Sequence, residues 1–357
     1  MTKEKEIGLI QQMSTIEGFV DKQLGLNVSS VNEIFSVVPN NRTRVFHVVT
    51  PDKDALAKIY IKKEDAETEI ANYYLLQGLD FIPRLLAHNL GDANTGGGTF
   101  IIFAFIRGET LHSLFTRRKM DGTPANLNYV TEVMDQIGYM DKQVAGQKVR
   151  VLKTHTPIFL PVREGFFSET EKSKFLFDYA LTSTRNLEAC NLLRGFYFDR
   201  NPRNIIITAG QITQVDFGSI HFSSPLFDIA KLVRNGVDIP LKGDHLNDQN
   251  PYDLNTFTES QEAELRRLAY QKLVQEKKII IDEHYFNLLL NHAFLTTHIF
   301  YLTKYKKYLN DGIGHDETLR TRIAYHYKMG MHTIYDLKQD NEKVQGLEGW
   351  MNYFLFK

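Results

Sequence analysis

The stretch Gly195–Ile220, GFYFDRNPRNIIITAGQITQVDFGSI, holds the residues best suited to chemistry. Asp199 lies five residues before Asn204, and Asp216 opens an Asp-Phe-Gly after two apolar, β-branched runs. Phosphoryl transfer needs this set of groups. One carboxylate orients an attacking hydroxyl or accepts its proton, while an amide oxygen and a second carboxylate hold the Mg²⁺ that bridges the phosphates. A tight loop would bring Asp199 and Asn204 together. A hairpin of Ile205–Thr208 and Ile212–Val215, turning at Ala209-Gly210, would return the chain to present Asp216. An Asp-x-x-x-x-Asn alone reads as an ordinary surface turn. An Asp-Phe-Gly after an apolar hairpin at this distance does not.

The elements that must position these groups fall into two halves. The first half is strand-rich: Phe35–Val38, Arg44–Thr50 and Ala55–Ile61 are separated by Pro39-Asn40-Asn41 and Pro51-Asp52, and Leu85–Asn89 and Thr99–Phe105 follow. A helix is expected at Lys3–Gln23 and another at Glu64–Gly78, with Gly78 as its stop signal. From Glu109 onward helices dominate, at about 109–118, 126–146, 169–193, 225–236, 258–277, 282–308 and 314–338. The fold class is therefore α+β, a five-stranded antiparallel sheet with helices and then a larger, mainly helical part. The expected division is 1–106 and 107–357.

On these residues the chain resembles the protein-kinase-like superfamily, and within it the aminoglycoside phosphotransferases and choline kinases. That branch carries His-Gly-Asp-x-x-x-x-Asn, then Asp-Phe-Glu or a variant, then a further Asp about eleven residues on. Here the last piece is SPLFDIAKLV, with Asp228 twelve residues after Asp216. Protein kinases instead have a longer activation segment ending in Ala-Pro-Glu, which is absent. The resemblance implies a bilobal fold, with residues 1–106 as a nucleotide-binding lobe and 107–357 as a catalytic lobe. It implies Asp199 as catalytic base, Asn204 and Asp216 as Mg²⁺ ligands, and Asp228 as support for the catalytic loop.

The first half resembles the same family. Ala55-Leu56-Ala57-Lys58-Ile59-Tyr60 looks like the third-strand lysine segment, with Lys58 meeting the α- and β-phosphates. Such a lysine needs an anionic partner from the next helix, for which Glu69 matches the family pattern and Glu67 and Glu64 are alternatives. TFIIFAFIRGETLHSLF resembles the hinge, with backbone groups near Phe103–Phe105 meeting the adenine edge and Gly108 opening the second lobe. Two positions depart from the family. The phosphate loop, Val37–Arg44, has no glycine, leaving Asn41 and its neighbours as donors. Tyr197-Phe198-Asp199 stands where His-Gly-Asp is usual. The function implied is an ATP- or GTP- and Mg²⁺-dependent phosphotransferase acting on a hydroxyl of a small molecule: an amino alcohol, an aminoglycoside or a sugar. The alternative is a non-catalytic kinase-like module that binds a nucleotide or a protein.

Composition narrows the partners. The 357 residues hold 42 Lys plus Arg against 43 Asp plus Glu, a net charge of -1, which gives no electrostatic case for nucleic acid or an anionic membrane. One cysteine, Cys190, allows neither an internal disulfide nor a multi-cysteine metal site. A cytoplasmic setting is expected. The N-terminus lacks the apolar run of a signal peptide. Tyr285–Thr303 has no charged residue, but Asn287, Asn291 and His298 share a helical face with His284, so a buried amphipathic helix is expected there and not a membrane span. Gly91–Gly98 has the outer glycine spacing of a P-loop without its Lys-Ser/Thr, and reads as a hairpin tip. Between Asp238 and Glu264 seven acids face one lysine. They could bind a cationic acceptor or simply be a solvated face.

Overall fold

A computed structural model describes residues 3–34, 43–91, 99–145, 195–197, 199–218, 221–236, 251–312 and 316–341. The chain forms two compact units, one of 1–109 with 205–219, the other of 110–204 with 220–357.

The first unit holds α1 (Lys3–Leu24), β1 (Ser30–Glu33), β2 (Thr43–Val49), β3 (Ala55–Tyr60), α2 (Lys63–Leu76), β4 (Leu85–Leu90) and β5 (Thr99–Ala104). The five strands make one antiparallel sheet in the order β1-β2-β3-β5-β4. Its core is built as alternation dictates. Phe46, Val48, Ala55, Ala57, Phe100 and Ile102 turn to one face, and Ile16 and Val20 of α1 are buried in the same cluster. α2 stops where the sequence predicts, with Gly78 at φ 96° just beyond it.

The first strand differs from expectation. It runs over Ser30–Glu33, while Phe35–Val38 lies outside the described residues. Ser, Asn and Glu are poor strand formers, so composition hides this strand. Pairing supplies what propensity does not: Val31 is buried, and Arg44 of β2 grips Glu33 through Nε at 2.7 Å and a second nitrogen at 2.8 Å. The 169–193 helix, the Gly91–Gly98 tip beyond Gly91, and Asp238, Asp244 and Asp248 also lie outside the described residues.

The two-residue β6 (Glu109–Thr110) stands at the boundary of the units. The second unit holds α3 (Leu111–Met120), α4 (Leu127–Ala145), β7 (Gly195–Tyr197), β10 (His221–Ser223), α5 (Leu226–Val233), α6 (Glu259–Tyr270), α7 (Glu283–Asn310) and α8 (Asp316–Asn341). β7 and β10 pair antiparallel. The intervening hairpin, β8 (Ile205–Thr208) and β9 (Gln211–Gln214), belongs to the first unit. Its turn places Ala209 at φ 47° and Gly210 at φ 86°, the left-handed pair that a two-residue hairpin requires. A π-helical turn, Gln271–Gln275, prolongs α6.

No helix among the described residues is long and apolar enough to cross a membrane. α7 is buried along most of its length. Two of its polar residues are buried with partners inside the unit: Asn291 Oδ1 accepts from Arg266 at 2.8 Å, and the Nδ1 atoms of His298 and His326 lie 3.0 Å apart.

Candidate active site

In the first unit, β3, α2 and the segment after β9 converge on Lys58. Alternation turns Lys58 to the face of β3 opposite Ala55 and Ala57, and α2 presents Glu69 to it on that face. Lys58 Nζ donates to Glu69 Oε1 at 2.7 Å and to Asp216 Oδ1 at 3.1 Å. Burial alone would lower the Lys58 pKa. The charges of Asp216 and Glu69 outweigh it and raise the pKa, so the ammonium stays charged. Of the other acids considered for this pairing, Glu67 meets Lys63 at 3.5 Å on the exposed side of α2.

Glu69 is itself held from three sides. Besides Lys58, the Tyr60 hydroxyl donates to Oε2 and the Phe217 amide donates to Oε1 at 3.4 Å. Burial and the Glu69 charge raise the Tyr60 pKa, so the phenol remains a donor. Asn72, one turn further along α2, donates to the Phe217 carbonyl at 2.6 Å. The Phe217 ring packs edge-on against Tyr73 and Phe103. The Asp-Phe-Gly is thereby tied to α2 by its backbone and its aromatic ring. The Asp216 side chain is left 52% exposed and its backbone left-handed, at φ 70°.

Lys58 and Asp216 share the lining of a mainly apolar cleft with Leu56, Phe103, Phe105, Ile206 and Val215. Its apolar lining suits the faces of a flat ring, and the ammonium in that lining suits an anionic group. Phe103 lies within β5, paired with Leu56, and the Phe105 amide donates to the Asp54 carbonyl at 3.1 Å. The Phe105 ring stacks on His47 with centroids 4.1 Å apart. Gly108 passes so close to β8 that an added Cβ would meet the Ile207 carbonyl oxygen at 2.4 Å. Asn41 lies outside the described residues.

The second unit holds the loop that begins at Asp199. Asp199 has φ 53°, and its carbonyl accepts from the Asn201 amide at 2.6 Å and from the Asn204 side-chain nitrogen at 3.1 Å. The side chain of Asn204 thus closes the loop with its nitrogen and directs its oxygen elsewhere. Asp228, wholly buried in the first turn of α5, accepts from the Arg200 amide at 2.9 Å. The Arg200 side chain is also fully buried and reaches Gln136 at 3.1 Å. Asn201 donates to the Tyr301 hydroxyl at 2.7 Å. Asp199 Oδ1 is engaged by the ammonium of Lys231.

The structure therefore gathers Lys58, Glu69, Asp216, Phe103 and Phe105 in one unit, and Asp199, Asn204 and Asp228 in the other. Sequence reasoning missed four contributors. Tyr60 and Asn72 are ordinary residues of an apolar strand and helix. Arg200 carries no signal beyond its neighbour Asp199. Lys231 does carry one, as the lone cation in the apolar run LFDIAKLV, three residues after Asp228 and so on the same helical face. Among the described residues no cluster of three His, Cys, Asp or Glu could hold a metal ion. An exposed carboxylate such as that of Asp216 suits Mg²⁺, which keeps waters and phosphate oxygens among its ligands.

No protein-family model matches the sequence, and no curated protein does. Solved structures do match in fold. A thermostable mutant of aminoglycoside phosphotransferase APH(4)-Ia, in ternary complex with ADP and hygromycin B, superposes with TM-score 0.55 at 14% identity, over 89% of this chain and 98% of that one. Choline kinase LicA from Streptococcus pneumoniae gives 0.52 at 14% identity, over 89% and 98%. Choline kinase from Cryptosporidium parvum Iowa II gives 0.53 at 15% identity, over 96% and 99%. With its five-stranded antiparallel sheet, mainly helical second unit and matched span, the chain has the protein-kinase-like fold of aminoglycoside phosphotransferases and choline kinases.

Proposed function

We propose that the chain is an ATP- and Mg²⁺-dependent phosphotransferase that moves the γ-phosphate to a hydroxyl of a small molecule. The observation that carries this reading is the charged Lys58, clamped between Glu69 and Asp216 in the lining of an apolar cleft. A buried ammonium held in place by two carboxylates is poised to take phosphate oxygens, and an apolar slot beside it suits a purine. The solved structure of the similar aminoglycoside phosphotransferase APH(4)-Ia in complex with ADP supports the same use of a nucleotide.

In this reading Asn204 and Asp216 are the metal ligands, and Mg²⁺ would neutralise charge on the β- and γ-phosphates. Lys58 orients the α- and β-phosphates, and Glu69 fixes Lys58. Phe103 and Phe105 line the base slot, and Asn41 is a donor to the phosphates. Asp199 accepts the proton of the acceptor hydroxyl as its oxygen bonds to the γ-phosphorus and the bond to the β-phosphate oxygen breaks. Asp228 holds the Arg200 amide and so the shape of the loop. The acceptor is a small molecule, with neither nucleic acid nor membrane as partner, and the setting is cytoplasmic.

Asp199→Asn tests the reading. It should leave nucleotide affinity within about twofold, because this carboxylate faces the acceptor. Turnover, with an acceptor or as slow ATP hydrolysis, should fall by roughly 10²–10⁴-fold, the usual contribution of a positioned base. ATP with Mg²⁺ should raise the melting temperature of both proteins, by an amount equivalent to about 2.7 kcal/mol at a hundred times the dissociation constant. Nucleotide binding with no turnover by either protein would favour the non-catalytic module, which the glycine-free loop and Tyr197 also fit, and turnover unchanged in the variant would place the base elsewhere. No binding at millimolar nucleotide would refute the phosphotransferase and leave only a module that binds a protein.

A further inference from the structure

Every residue of α5 is buried, Lys231 among them. Its side chain is 7% exposed, and its ammonium sits on Asp199 Oδ1. That ammonium also stands 5.6 Å from the ring centroid of Phe300 and 5.7 Å from that of Tyr301, both on α7. A lysine inside an apolar helix loses its hydration, and here a carboxylate and two aromatic faces offset the loss. A carboxylate flanked by aromatic faces is also how a protein takes up the ammonium group of a ligand. In this chain a side chain of its own fills that place.

We propose that Lys231 determines the charge class of the acceptor. The substrate is then a hydroxyl compound with no positive charge near its reacting hydroxyl, a neutral polyol or sugar or a hydroxy acid, and not an amino alcohol or aminoglycoside. The inference rests on Asp199 being the base of a phosphotransferase. Any hydroxyl within hydrogen-bond reach of Asp199 lies a few ångströms from the Lys231 ammonium. An acceptor ammonium two carbons away would stand ~5 Å from it. At that separation, with an effective dielectric constant of ~20, Lys231 cancels by roughly 10²-fold the pull that Asp199 alone would exert on a cation. A second observation agrees. Glu262, an acid of the 238–264 run that could have met an acceptor amine, is buried and gripped by both Arg234 and Arg266.

The test uses the full chain with ATP, Mg²⁺ and two matched acceptor sets: glycerol, serinol and glycerate, and glucose, glucosamine and glucuronate. The wild-type chain should phosphorylate a neutral or anionic member with kcat/KM at least tenfold above its amino counterpart. Lys231→Met should shift that ratio toward the amine by roughly 10- to 100-fold, mostly through KM. Lys231→Arg, which keeps the charge, should preserve the wild-type order. An amine used as well as its neutral counterpart by the wild-type chain overturns the proposal. So does a Lys231→Met variant that lowers all three members by one factor, as a purely structural lysine would. If that variant does not fold, the wild-type order and Lys231→Arg still decide. Phosphate transfer to no member, with ATP hydrolysis that still depends on Asp199, overturns the inference and leaves the phosphotransferase reading standing. Absence of nucleotide binding refutes that reading instead.

Discussion

Replacing Glu262 by Gln should cost the protein about 3 kcal/mol at neutral pH, and most of that difference should vanish in acid. Glu262 lies on α6, 2% exposed, and accepts from Arg234 Nε at 3.1 Å, from a second Arg234 nitrogen at 2.9 Å, and from Arg266 at 2.7 and 2.9 Å. Both guanidinium groups lie over the Phe294 ring, at 4.3 and 4.6 Å. Burial by itself would raise the Glu262 pKa, but the two guanidinium charges outweigh it and bring it from 4.5 to about 2. At ~1.4 kcal/mol per tenfold, that difference corresponds to about 3 kcal/mol. The value also sits at the low end of the cost of breaking a buried ion pair from one side. Because the folded-state pKa lies below the unfolded one, the contribution is complete above about pH 6 and is lost as the pH falls from 4.5 toward 2. By pH 3 about 2 kcal/mol of it should be gone. Urea unfolding of the wild-type chain and of Glu262→Gln, followed by circular dichroism at pH 7 and pH 3, measures both quantities. Equal stability at pH 7, or a gap that is unchanged at pH 3, would refute the assignment of this energy to the ionised carboxylate.

Two further outcomes are expected. Gly108→Ala forces a methyl group against the Ile207 carbonyl and to 2.6 Å from the side chains of Ile206 and Thr208. Thermal unfolding should show a loss of about 1–3 kcal/mol, and an unchanged melting temperature would mean that this approach of Gly108 to β8 is not maintained in solution. Lys58→Ala removes the proposed phosphate contact and leaves the apolar cleft intact. Calorimetry should find ADP and ATP bound about 10–100-fold more weakly, the worth of one charge-assisted contact, with adenosine affinity nearly unchanged. Equal loss for adenosine would place Lys58 in the architecture of the cleft and not at the phosphates.

The periodic elements were open to a reader of the sequence, and the groups buried among them were less so. Alternating β-branched and aromatic residues mark β2, β3 and β5, and Ala209-Gly210 marks its hairpin turn. The Lys58–Glu69 contact is legible in outline, because a buried lysine requires an acid and α2 is acidic. Choosing Glu69 over Glu67 from geometry alone requires knowing which face of α2 is buried, a tertiary fact. β1 is hidden by its polar composition, since its stability comes from pairing with β2 and the Glu33–Arg44 contact. Burial hides Arg200 in a different way. Nothing in Asp-Arg-Asn-Pro distinguishes a wholly enclosed guanidinium from a solvated one, and enclosure is decided by distant residues such as Gln136. The polar residues of α7 were legible as those of a buried helix and not a membrane span, while their partners on α6 and α8, such as Arg266 and His326, are tertiary facts that spacing does not reveal.

The left-handed backbone of Asp199 and Asp216 has a bearing on how this protein can be improved. Only four non-glycine residues among those described have positive φ, and two of them are these aspartates. Aspartate tolerates that conformation better than most side chains, yet holding a residue there still costs of order 1–3 kcal/mol. Glycine at either position would relieve the strain. A screen that selects for thermal resistance alone would therefore tend to enrich Asp199→Gly and Asp216→Gly, and would strip away the carboxylates on which the proposed chemistry depends. Selection for robustness and selection for turnover pull these two positions in opposite directions.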